Sequence, residues 1–424
     1  MNVTHKLFST LFLNIVIFII VFIISVVLSR SLGPENYGVY QFLILIASTL
    51  TLFTGFGLVE MLQLKLAQKL IRLKDYIAST LSATMPIYLI TLCVLFYFFY
   101  VNDSLGNQVL LNAGLMLCLL FQLNFIFHNA IFALDKIVTF QMVEIIRHGA
   151  NLMLILFAIY FNFFNLPNVF WIMVFTNIFS VVYILFYCFR HRVAEKINFA
   201  YSKELFKNSL RTYLNNILTF ITYRFDVYIL KLFVGFYEIG IYTLAVALVE
   251  KLWIFPTSIR SVLYLELNNK RKDEAFVAQI LRLLTLFVIV VGSVVAVLSF
   301  YIIPFVFSER FEASVVPFLI LLPGILMFCF SKILAAYFIS CDMIKINTYS
   351  SIIIACINLI LNLILIPKYL IFGAALSKTI AFTIGSIYHL KVFNKVTKTN
   401  YTDMLIIKKN DFSVLKLLKK VSNK

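Results

Sequence analysis

Twelve apolar runs separated by short polar connections leave this chain one class of fold. They cover approximately residues 7–29, 40–62, 77–100, 109–134, 139–160, 168–189, 212–234, 239–264, 280–304, 315–340, 347–366 and 371–391. About 20 apolar residues is the length an α-helix needs to cross about 30 Å of hydrocarbon. Inside a bilayer, only helices and closed barrels satisfy their own backbone. With 62% hydrophobic and 13% charged side chains, a soluble core has no room for the apolar stock. The sequence therefore predicts an all-α polytopic membrane protein of about twelve transmembrane helices. The first run is too long for a signal-peptide core, lacks a small-residue cleavage site and is expected to stay as span 1.

A net charge of +17 is compatible with nucleic-acid binding, but its distribution argues for membrane topology instead. Counting Lys and Arg on alternate sides of the spans gives 27 on one side and 3 (Arg30, Arg310, Lys368) on the other. The positive-inside rule then places both termini in the cytoplasm, and a bacterial inner membrane is the expected location. The six cysteines all fall in apolar runs without CxxC spacing, and the five histidines show no HExxH spacing, so neither a disulfide framework nor a metal site is expected. There is no Walker A loop and no stretch long enough for a nucleotide-binding domain, so no cofactor is expected.

The chain repeats itself. Gly33-Pro-Glu-Asn-Tyr-Gly38-Val-Tyr40 and Gly235-Phe-Tyr-Glu-Ile-Gly240-Ile-Tyr242 both fit G-x4-G-x-Y, 202 residues apart and at equivalent places in two six-span halves. Duplicated bundles related by an axis along the membrane normal are a transporter plan, with the site between the halves. The expected division is a bundle over 1–200, a second over 201–391 and a basic tail over 392–424. In that tail Phe412, Leu415 and Leu418 recur at helical spacing against Lys416, Lys419 and Lys420, as in a helix lying on an anionic leaflet.

Four segments, in order, carry a resemblance: Leu28 to Tyr40; Arg224-Phe-Asp-Val-Tyr-Ile-Leu230 through Gly235 to Ala245; Phe311 to Gly324; and Asn362 through Pro367-Lys368-Tyr369 to Ala375. Together they resemble the polysaccharide-lipid flippases (Wzx-like O-antigen exporters) of the multidrug/oligosaccharidyl-lipid/polysaccharide exporter (MOP) superfamily. The resemblance implies two six-helix bundles related by a pseudo-two-fold axis, as in the MATE transporters of that superfamily, and a role for Arg224 and Asp226 in conformation or cargo. The sequence departs from the family pattern at Ser209-Leu210-Arg211, where many relatives carry a proline, and at Lys378, where a small or apolar residue is expected.

Function must be read from the polar groups kept inside the spans. Ten ionisable residues fall there: Glu60, Glu144, Arg147, Arg224, Asp226, Lys231, Glu250, Lys251, Lys332 and Lys378. Each costs roughly 2.5–3.5 kcal/mol at a helix centre, so most must pair, snorkel or line a wet cavity. On span 5, Gln141, Glu144, Arg147, His148 and Asn151 form one polar stripe at helical spacing. It is either a Glu144–Arg147 packing pair or a cavity wall offering a cation to an anionic head group. Arg224 and Asp226, two residues apart on a helix, point opposite ways and must each find another partner. Glu250-Lys251 precede a kink expected at Pro256. Span 4 adds Gln122, Asn124, His128 and Asn129; Lys332 and Lys378 are lone cations on their spans, each there either for cargo binding or for structural pairing; and Asn358 and Asn362 read as interhelical glue.

Taking residues and resemblance together, the expected function is a flippase, not an enzyme, carrying undecaprenyl-pyrophosphate-linked oligosaccharide repeat units from the cytoplasmic to the periplasmic leaflet by alternating access. The candidate cargo residues are Arg147, Glu144, His148, Arg224, Asp226, Glu250, Lys251, Lys332 and Lys378. Partners implied are the lipid-linked substrate, the membrane, a coupling ion (H⁺ or Na⁺), and a polymerase and chain-length regulator of the same pathway, with no nucleic acid. The rival readings are a multidrug cation antiporter of the same fold and a multi-span oligosaccharide polymerase.

Overall fold

The computed structural model describes residues 3–101, 108–134, 137–190, 202–254, 256, 257, 259, 260, 263, 274–408 and 411. The elements among them are helices: α1 Val3–Thr54, α2 Leu58–Ala67, α3 Leu73–Val101, α4 Gln108–Ala133, α5 Ile137–Tyr160, α6 Leu166–Arg190, α7 Ser202–Tyr223, α8 Phe225–Lys231, α9 Phe236–Glu250, α10 Glu274–Phe307, α11 Val315–Ser340, α12 Ile344–Thr397 and α13 Tyr401–Leu405. Eight are long and apolar enough to cross a membrane. At 52 and 54 residues, α1 and α12 would each be about 80 Å long if straight, well beyond one bilayer. Both therefore bend. The first breaks at Gly33 (φ 72°), a conformation glycine adopts without steric cost, and Pro34 then starts the new helix, where its missing N–H is not needed. The second breaks at Leu370 (φ 51°) just after Pro367. There the chain folds back so tightly that a Cβ on Gly373 would lie 2.3 Å from the Leu365 carbonyl oxygen. The Pro367–Ala375 motif is thus a turn between two spans.

Several boundaries differ from the sequence reading. The second span stops at Thr54, because Gly55-Phe-Gly57 turns the chain, and Gly57 (φ 67°) sits so close to Ser209 that a Cβ would meet its carbonyl oxygen at 2.5 Å. Helix resumes at Ser202 inside the segment read as a connection. The eighth span leaves α-helical geometry at Glu250, six residues before Pro256, and tightens into a 3₁₀ turn over Lys251–Trp253. The basic helix expected over the tail lies outside the described residues.

The chain divides into two compact units. One comprises Met1–Leu32 and Tyr40–Ile217; the other comprises Gly33–Val39 and Leu218–Lys424. In the first, α2, α3 and α4 bury Val59, Leu62, Leu66, Tyr76, Ile126 and Ala130 against one another, and the Tyr76 hydroxyl donates to the Ile126 carbonyl oxygen at 3.0 Å. In the second, α10, α11 and the C-terminal part of α12 share a core of Leu281, Leu284, Cys329, Ile333, Tyr337, Phe338 and Phe393.

The second unit also contains both copies of the repeat, packed against each other. A Cβ on Gly38 would lie 1.8 Å from the Phe236 carbonyl oxygen, and one on Gly240 would lie 2.0 Å from the Pro34 carbonyl oxygen. Pro34 and Phe236 hold the same place in the two copies, as do Gly38 and Gly240, so the contact is reciprocal, as a two-fold axis through it would make it. Tyr37 sets its ring edge-on to Phe311 at 5.7 Å, and Ser314 donates to the Ile241 carbonyl oxygen at 3.0 Å. Three of the four resemblance segments therefore meet at one buried crossing.

Candidate functional site

In the first unit, six helices present polar side chains to a cavity of about 370 Å³, within the range of small-molecule sites. The second half of α1 contributes Ser48 and Thr51, and α2 contributes Glu60. From α4 come Asn124 and His128, from α5 Arg147, from α6 Asn177 and from α7 Asn216. The α5 stripe is what delivers Arg147: with apolar residues on its other faces, the helix can turn only this one inward.

The centre of the group is Glu144. Each of its oxygens accepts from one guanidinium nitrogen and lies near one imidazole nitrogen. Oε2 lies 2.5 Å from Arg147 Nη2 and 3.3 Å from His148 Nε2, while Oε1 lies 3.2 Å from Arg147 Nε and 3.4 Å from His128 Nε2. Glu144 and Arg147 are 12% and 15% exposed, so the pair is largely desolvated but still open to the cavity. Arg147 Nη1 points at Asn177 Oδ1 at 3.4 Å, and the same oxygen accepts from Asn124 Nδ2 at 2.9 Å. The second carboxylate, Glu60, accepts from Asn216 Nδ2 at 2.9 Å. The pair and the wall foreseen as alternatives are thus one object, since the paired guanidinium itself lines the cavity.

The second unit places the remaining candidates in two groups. Between α7 and α8 the helix breaks at Arg224 (φ −134°), which releases the last carbonyls of α7. Asn358 Nδ2 donates to those of Ile221 and Thr222, at 3.2 and 3.0 Å, and Lys378 Nζ donates to that of Tyr223 at 3.1 Å. Lys378 also lies 2.7 Å from Asp226, which accepts a very short hydrogen bond from the Tyr242 hydroxyl. Lys378 and Asp226 are 1% and 0% exposed. Of its two readings, Lys378 has the geometry of structural pairing: it neutralises a buried carboxylate and caps a helix break. The other group is more open. Arg224, 46% exposed, grips Glu250 with two nitrogens at 3.1 and 3.4 Å, and Lys251 begins the turn that follows. Lys332 stands 4.2 Å above the Trp253 ring, a cation–π contact within a cluster of Tyr223, Trp253, Phe328 and Phe382.

The structure thus unites Arg147, Glu144 and His148, joins Arg224 to Glu250, and seals Asp226 with Lys378. Sequence reasoning left out of the candidate set His128, Asn177, Asn216 and Trp253. His128 had a visible signal, its place on the polar line of span 4. Isolated amides in apolar runs and an aromatic among 45 Phe and 22 Tyr had none. Among the described residues no cluster of His, Cys, Asp or Glu is arranged to hold a metal ion.

Residues 3–264 match the family described as polysaccharide biosynthesis protein. No curated protein sequence matches the chain. Among solved structures, the lipid II flippase MurJ in an inward closed conformation is similar at a TM-score of 0.72 and 16% identity, over 97% of this chain and 92% of that one. An inward-facing multidrug resistance MATE family transporter of the MOP superfamily gives 0.64 and 14%, over 92% and 96%. A MOP superfamily transporter from Pyrococcus furiosus gives 0.61 and 13%, over 92% and 95%. At these identities the likeness shows a shared fold: the chain is an all-α polytopic membrane protein with the MOP fold.

Proposed function

Because the chain belongs to the polysaccharide biosynthesis protein family, we propose that it is a flippase that moves undecaprenyl-pyrophosphate-linked oligosaccharide units from the cytoplasmic to the periplasmic leaflet of a bacterial inner membrane. The observation that carries this reading is the Arg147 guanidinium, held deep in an apolar helix yet facing a cavity that polar side chains from five other helices also reach. A planar guanidinium fits a phosphate bidentately, and burial strengthens the contact. Asn124, Asn177, Asn216, Ser48 and Thr51 offer neutral donors and acceptors of the kind sugar hydroxyls need. The polyprenyl tail stays in lipid while the head group crosses by alternating access. The similarity to the lipid II flippase supports the same class of cargo. Both termini are cytoplasmic on this reading, and a polymerase and chain-length regulator act downstream.

The test is a deletion strain, with related flippases checked for bypass. Lipid-linked repeat units are expected to accumulate on the cytoplasmic leaflet, because a diphosphate and many hydroxyls cannot cross about 30 Å of hydrocarbon unaided. Single units arriving normally at the surface while long chains vanish would make the protein a polymerase instead. A second reading, a cation antiporter, has one observation in its favour: Glu60 brings a carboxylate to the wall of the same cavity. Efflux of a lipophilic cation dependent on Glu60 would decide for it.

A further inference from the structure

Arg147 does not wait empty for a phosphate. Its Nε and Nη2 edge is already filled by a carboxylate in the side-on, two-nitrogen geometry that a phosphate would adopt. That carboxylate comes from the same helix, three residues away, on a short side chain with only three rotatable bonds. It is also the one acidic group in the cluster with a second set of partners, the Nε2 atoms of His128 on α4 and His148 on α5, one on each oxygen. His148 Nε2 also lies 3.0 Å from Arg147 Nη2, a nitrogen that can only donate, so at present this imidazole accepts from the same guanidinium.

From this geometry we propose, resting on the flippase reading above, that Glu144 is the resident occupant of the phosphate seat. An incoming diphosphate must displace it from Arg147, and the Nε2 atoms of His128 and His148, the latter released by the same guanidinium, are the neighbours left to receive the displaced carboxylate. The titratable or charged groups facing Glu144 are His128 from α4 and Arg147 and His148 from α5. The element on the other side of Arg147, α6, presents the neutral Asn177. The displacement is therefore an exchange of one anion for another on a single guanidinium. Such an exchange sets an upper limit on affinity, and a carrier must have one, because cargo bound too tightly on one side is not released on the other. In the empty carrier the same carboxylate removes the cost of an unpaired buried cation.

The experiment measures binding of inorganic pyrophosphate to the purified full-length protein in detergent, by isothermal titration, for wild type, Glu144→Gln and Arg147→Gln. Glutamine keeps the size but gives up the charge and one of the two accepting oxygens. The expected result is about tenfold tighter binding in Glu144→Gln, the equivalent of about 1.4 kcal/mol of removed competition, and loss of that gain in the double variant Glu144→Gln/Arg147→Gln. Unchanged or weaker binding by a Glu144→Gln protein that melts like wild type would overturn the proposal. Should that variant melt early, Glu144→Asp, which draws the carboxylate back from Arg147 while keeping the charge, must also bind more tightly, and its failure to do so is equally fatal. Weakened binding in Arg147→Gln alone upholds the anionic-cargo reading whatever Glu144→Gln does, so the two ideas fail separately.

Discussion

A guanidinium and an ammonium are not equivalent on the cavity wall. Arg147 engages its present partner through two nitrogens, and a lysine in its place offers a single point charge that meets phosphate without the fork. Arg147→Ala is expected to abolish export of surface polysaccharide with protein level largely kept, and Arg147→Lys to retain part of it; an immunoblot beside a polysaccharide gel reads both. Normal polysaccharide from the alanine variant would remove Arg147 from the cargo path. The Asp226–Lys378 pair behaves in the opposite way. Breaking a fully buried pair from one side strands a charge and costs about 3–5 kcal/mol, whereas replacing both partners by apolar groups is often neutral. Lys378→Met is thus expected to lose folded protein, and Asp226→Leu/Lys378→Met to recover much of it in a detergent melt, short of the cap on Tyr223. No recovery would show that the pair is needed for more than neutralising itself. Outside the membrane, Arg282 holds both oxygens of Asp411, at 2.6 and 2.7 Å, and draws that carboxyl below its usual range; Lys408 does the same to Asp403. Depressed carboxyls stabilise above their unfolded pKa and lose that effect only as pH falls through the folded one. The docked segment Tyr401–Leu405, with Met404 buried beneath it, is expected to resist protease from neutral pH down to about pH 4 and to become cleavable in Asp411→Asn already at pH 7.

At the scale of elements, the glycines of the repeat are the most demanding positions. Alanine at Gly38 or Gly240 would drive a methyl group into a backbone carbonyl of the facing copy, which has no rotamer by which to retreat. Either substitution is expected to collapse protein yield, while Gly149→Ala on α5 and Gly114→Ala on α4, with nothing near the added methyl, are expected to be neutral or to stabilise by up to about 1 kcal/mol. Comparable yields across all four would deny that the crossing is close. These elements also show what a sequence can and cannot tell. Long apolar runs state their own helicity, because length and composition alone fix a span. The G-x4-G-x-Y repeat was legible as a pattern, but its reason was not: the two copies need glycine because each is the other's neighbour, a contact 202 residues apart. The stripe on α5 was readable because all five residues share one helix face. The break at Arg224 was not, since the side chains that stabilise it, Asn358 and Lys378, lie on another helix far along the chain.

For the whole molecule, the feature that orders everything else is which side of the membrane each connection occupies, and charge argues for it more strongly than any single helix does. Lys and Arg divide 27 to 3 between the two sides, and cationic connections are retained on the cytoplasmic face during insertion. The turn between α2 and α3 belongs to the rich side, with Lys65, Lys69, Arg72 and Lys74 within ten residues, and the turn between α5 and α6 to the poor side, with none. Both turns have exposed positions suited to labelling, Leu70 at 63% and Phe163 at 64%. Cys93 and Cys356 are themselves exposed, so the background must first be made free of cysteine. In that background a membrane-impermeant maleimide applied to intact cells is expected to modify Phe163→Cys and to leave Leu70→Cys untouched until the membrane is permeabilised. The orientation decides the direction in which Arg147 meets its cargo. Should Leu70→Cys react in intact cells, the charge-rich face would lie outside, and a carrier loading lipid-linked sugars from the cytoplasm would have to be read upside down.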